Sequence, residues 1–132
     1  MKRSQTFIAA ALLASAGSVN AATPEGACAN LAEARTQLVA MIAETDPAKL
    51  DDYKAKVHAA SDKLDADLAA MASGPDATKA GEFKPVWEAF KNTRETEIIP
   101  AVYAGKNADA KAIATGIQAE RMKQMKAAMG CQ

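Results

Sequence analysis

The chain is poor in the residues that usually build reactive sites and sheets. It holds one histidine, one tryptophan, two tyrosines and three phenylalanines among 132 residues. With His58 alone there is no evident triad, and no glycine-rich phosphate loop is present, so catalysis finds no constellation to work with. β-Branched residues are sparse and no alternating apolar–polar run occurs, which argues against strands. Basic and acidic residues number 16 each, so no cationic excess exists to displace counterions from nucleic acid. No apolar run after the N-terminal segment reaches the roughly 20 residues needed to cross a membrane.

The N-terminus reads as a secretory leader. Lys2 and Arg3 precede the apolar run "FIAAALLASAG", and Val19, Asn20 and Ala21 make a small-residue cleavage site. Residues 1–21 are therefore expected to be a signal peptide, and 22–132 a single exported domain with a bacterial periplasm as its compartment. Those two residues are the leader's only charges, so the mature domain carries 14 basic and 16 acidic groups. In an oxidising compartment the only two cysteines, Cys28 and Cys131, are expected to pair. No further thiol or histidine lies close in sequence to make either a metal ligand.

What is abundant is alanine, lysine, glutamate, leucine and methionine, a helix-forming composition. Thr23–Pro24 and Asp46–Pro47 each place a capping residue before a first-turn proline. The first helix spans about 25–45, with a stripe at Leu31, Ala34, Leu38, Met41 and Ile42. In the second, Leu50, Val57, Leu64 and Met71 recur at intervals of seven, a bundle seam. Ser73–Gly74–Pro75–Asp76 ends it, with Gly74 free to turn left-handed. The third helix begins either near Asp76 or near Pro85, is bent by Pro100 and stops at Gly105. Asn107 is placed to cap a fourth helix over about 108–129, whose stripe is Ile113, Ile117, Met122, Met125 and Met129. Short connections make neighbours antiparallel, so the fold class is all-α, an up-down-up-down four-helix bundle. That order sets the start of the first helix beside the end of the fourth, which brings the cysteines together.

One residue breaks the pattern. Trp87, Phe90, Arg94, Ile98 and Ala101 trace one face, and a guanidinium stands where it should be apolar. A buried guanidinium must meet a carboxylate, reach the rim or bind an anion. Glu97 and Glu120 are candidate internal partners. The alternative is a bidentate clamp for a carboxylate ligand, with Trp87 and Phe90 as pocket wall. Arg121 interrupts the fourth stripe in the same way, facing either that pocket or water.

Residues 87–125, "WEAFKNTRETEIIPAVYAGKNADAKAIATGIQAERMKQM", resemble the second half of the periplasmic four-helix sensor domain of methyl-accepting chemotaxis receptors. Trp87, the Arg94–Glu95 pair, Pro100–Ala101 and Ala104–Gly105 carry the resemblance. It implies a ligand site between helices and a homodimer formed through the first helix. Without the receptors' membrane helices and signalling rod, the expected role is that of a stand-alone, non-catalytic binding relative, with no membrane anchor after leader removal.

The rival is a haem bundle, because periplasmic cytochromes of the c-prime and b types share size and architecture. Covalent attachment needs Cys-x-x-Cys-His, which is absent. A b-type site needs opposed axial ligands, and His58 lies one step off its seam while Met41 differs from it in depth by roughly 9 Å. Met122, Met125 and Met129 share a face that suits Cu(I), but that spacing also suits plain core packing. A structural or interaction bundle is the third alternative. The favoured expectation is a small anionic molecule as partner, with no cofactor.

Overall fold

Two capping side chains, each followed by proline, start the first two helices. The Thr23 hydroxyl accepts from the Gly26 N–H at 3.0 Å and the Asp46 carboxylate accepts from the Ala48 N–H at 3.0 Å. Each takes up a backbone donor that the first helical turn leaves without a partner. A computed structural model describes residues 22–132, so the expected leader lies outside the described residues. These form an all-α four-helix bundle, with no strand among them. The first rod is α1, Pro24–Ala43, and the second is α2, Pro47–Met71. The third rod joins α3, Ala77–Thr93, a π-helical turn, Arg94–Ile98, and α4, Ile99–Tyr103. The fourth joins α5, Asn107–Thr115, and α6, Ile117–Met129.

The stripes read from sequence line the core. Leu31, Ala34, Leu38, Met41 and Ile42 are buried on α1, as are all four seam residues of α2. Bonds between rods join residues in opposing order. Asp51, His58 and Asp65 on α2 meet Tyr103, Glu95 and Trp87 in turn. The Tyr103 hydroxyl donates to Asp51, and that bond, ahead of desolvation, pushes the phenol up to about 12.

Of the two starts that the sequence leaves open for the third rod, the structure has the earlier, at Ala77, so Pro85 lies inside a helix. The carbonyl it cannot serve belongs to Gly81, which is exposed and open to water. Gly74 is not left-handed; among the described residues only Gly105 and Gly130 have positive φ, at 77° and 78°. Asn107 does not cap its own helix. Its amide crosses to the carbonyls of Ile42 and Glu44 at 2.7 and 2.8 Å, serving acceptors at the end of α1. The fourth rod is broken at Gly116 (φ −99°, ψ −107°), where a Cβ would lie 3.0 Å from the Ala112 carbonyl. The break changes the phase of the stripe. Ile117, expected in the core, is 52% exposed, and Gln118 is buried instead.

Cys28 and Cys131 form a disulfide, with Cα atoms 5.7 Å apart and a separation of 103 residues. A loop of that length strongly restricts the unfolded chain. Reduction is therefore expected to lower unfolding free energy by about 3–5 kcal/mol while leaving far-ultraviolet helicity intact at low denaturant. Urea titrations with and without a dithiol reductant measure this directly.

Candidate functional site

The third rod carries a built polar site, and proline explains its shape. Pro100 offers no N–H to the turn before it, and that turn is the wide one. Within it the Ile99 N–H reaches back five residues to the Arg94 carbonyl, and the Thr96 hydroxyl donates to the Asn92 carbonyl. Thr93 and Arg94, consecutive residues, are consequently both buried.

Arg94 is 3% exposed, and two of its three guanidinium nitrogens donate to neighbouring side chains. Nε donates to Glu95 Oε2 at 2.7 Å and Nη1 to Ser61 Oγ at 2.7 Å. The Ser61 hydroxyl itself donates to the Val57 carbonyl, which leaves its oxygen free to accept. Glu95 also accepts from, or shares a proton with, His58 Nε2 at 3.0 Å. Partial burial pushes the Glu95 carboxyl up, but the bonds and charges of Arg94 and His58 outweigh it and hold the group below its ordinary 4.5. The expected partners Glu97 and Glu120 are not used; the adjacent Glu95 is.

Trp87 and Phe90 stack at 5.7 Å and are buried. Trp87 Nε1 donates to Asp65 at 2.7 Å, and the Arg94 guanidinium lies 6.0 Å from its ring centroid. Arg121 approaches from the other side, with Nη1 donating to Thr93 Oγ1 and Gln118 Oε1. Gln118 in turn donates to the Phe90 carbonyl. Arg94, Trp87, Phe90 and Arg121 thus belong to one neighbourhood, as read from sequence, but it is closely bonded and none of the four lines the cleft described next. His58 is 39% exposed in its side chain and commits Nε2 to Glu95. Met122, Met125 and Met129 pack in the core.

The open space lies at the disulfide end. A cleft of about 550 Å³ between α1, α6 and the start of α3 has a floor that includes Leu31, Met122 and Met129. Arg35, Lys79 and Lys126 border it, against one acidic side chain, Glu25. All three cations are exposed, and none joins an ion pair among the described residues. Two smaller hollows, of about 250 and 360 Å³, are bordered by mixed charge. Sequence reasoning missed the cationic border, although a signal existed. Arg35 stands four residues after Leu31 and Lys126 four after Met122, each a basic residue above a core residue on one helix face.

No family model matches the chain, and no curated protein or solved structure matches it either. No described helix is long and apolar enough to cross a membrane, and no cluster of three or more His, Cys, Asp or Glu suited to a metal occurs among the described residues.

The bonding pattern gives Arg94 a structural role that stability measurements test. Glu95→Ala leaves a buried guanidinium short of its carboxylate, at an expected cost of about 1–2 kcal/mol, moderated by the 40% exposure of Glu95. Arg94→Met removes the charge together with its demand and is expected to stay within about 1 kcal/mol of wild type. Because the folded carboxyl titrates below 4.5, its contribution is complete above that pH and disappears as pH falls through the lowered value. Denaturant melts of the three proteins from neutral to acid pH check this; the gap between wild type and Glu95→Ala should close in acid.

Proposed function

We propose that the protein is an exported, non-catalytic bundle that binds a small anionic organic molecule, and that it does so in the cleft at the disulfide end. The observation that carries the reading is the trio Arg35, Lys79 and Lys126, which join no ion pair among the described residues, around a concave floor that includes Leu31, Met122 and Met129. Pockets of this size class, largely apolar with a few converging polar groups, are where small molecules bind. Export to a periplasm is supported by the leader read at residues 1–21 and agrees with a disulfide-closed domain. The resemblance of residues 87–125 to chemoreceptor sensor domains supports a binding role in such a compartment. The site proposed for this chain lies apart from Arg94, whose Nε and Nη1 donate to Glu95 and Ser61.

Calorimetric titration with a panel of carboxylates at low ionic strength tests the assignment. Binding is expected for wild type and for Arg94→Met, with at least tenfold weakening in Lys79→Glu/Lys126→Glu and steady loss with added salt. Identical isotherms for wild type and the double variant remove the cleft from the site.

A further inference from the structure

The cleft also constrains the shape of what it holds, an inference that rests on the function just proposed. Its volume of about 550 Å³ equals the liquid share of roughly 18 water molecules. A four-carbon diacid would set a second carboxylate over Leu31, Met122 and Met129, whose side chains offer it no hydrogen-bond donor. Charge is confined to the border, while the floor offers carbon and sulfur. Methionine side chains, unbranched and polarisable, conform to flexible apolar bodies. Border and floor therefore ask for opposite ends of one molecule.

We infer that the cleft takes an amphipathic monocarboxylate, a single anionic head on a medium-length apolar tail. The tail lies on Leu31, Met122 and Met129, and the head sits among Arg35, Lys79 and Lys126. The exposed cations set orientation and salt dependence, while most of the affinity comes from the tail's own apolar area leaving water. A fully buried methylene is equivalent to roughly fourfold in affinity.

Butyrate, hexanoate, octanoate, octanol and succinate, titrated into the intact oxidised chain, decide the matter. Each methylene added to the carboxylate is expected to tighten binding roughly two- to fourfold. Octanol should bind at least tenfold more weakly than octanoate, and succinate more weakly than octanoate as well. Ala32→Trp places a bulky ring in the cleft from an exposed position of α1, where the fold tolerates it, and should reduce octanoate binding at least tenfold with an unchanged melting temperature. Succinate binding as tightly as octanoate, in a Lys79- and Lys126-dependent way, would overturn the tail and leave the anion site standing. Octanol equal to octanoate, or no binding by any probe, would overturn both. Octanoate bound equally by wild type and Ala32→Trp would place the tail elsewhere and end the proposal.

Discussion

A guanidinium cannot rest in an apolar core unless its hydrogens find acceptors, and the middle of this bundle is arranged around that demand at Arg94. Three departures from regular pattern answer it. Pro100 withholds a backbone donor, and the wide turn before it holds Thr93 and Arg94 both on the buried side. Ser61 stands on the α2 stripe between Val57 and Leu64, with its hydrogen directed to the Val57 carbonyl and its oxygen to Arg94. Glu95, next along the chain, closes the charge and reaches His58 on the neighbouring rod. Removing the charge altogether is expected to be less damaging than removing its carboxylate, because a guanidinium left in the core without one is the costlier state.

The same turn ties three rods at one level. Arg121 bonds Thr93 from α6 while Arg94 bonds Ser61 on α2, so consecutive residues of the third rod face opposite neighbours. Trp87 and Lys91 share Asp65 one to two turns earlier. These contacts are directional, whereas the leucine and methionine packing around them is not. They fix which levels of the rods face each other, a task that apolar packing alone performs loosely.

The architecture was legible because it rests on short-range periodicity. Caps at Thr23 and Asp46, the α1 stripe and the sevenfold seam of α2 each depend on neighbours within a turn or two, and the first two rods follow from them. The paired cysteines followed from the order of the rods. The break at Gly116 was hidden because glycine is tolerated within helical patterns; only the close approach of the Ala112 carbonyl reveals the need for it. With the break hidden, the periodicity assigns Ile117 to the core, whereas it is exposed. The π turn was hidden for a related reason. A proline announces a missing donor but does not say whether the helix kinks, stops or widens. At the candidate site the limitation was tertiary. Arg94 announced itself as an anomaly within one helix, while Arg35, Lys79 and Lys126 are ordinary in their own helices and become a group only when α1, α3 and α6 converge.

The location of the cleft follows from how the two ends of the bundle are closed. At one end α1 meets the fourth rod through Asn107 and the last carbonyls of α1, with Ile42 and Ala110 packed beneath. At the other end the closure is covalent, and Cys28 and Cys131 themselves line the cavity. A covalent link holds two helices together without requiring side chains to fill the space beside it, so the floor can stay concave while the ends remain joined. Arg121 and Met122 are adjacent on α6, the first bonded to Thr93 and the second lining the cleft. The directional network thus fixes α6 at the residue beside the cleft, and the disulfide fixes the chain just past its end. The cavity wall between them is braced at both limits, which fixes the shape of the cleft.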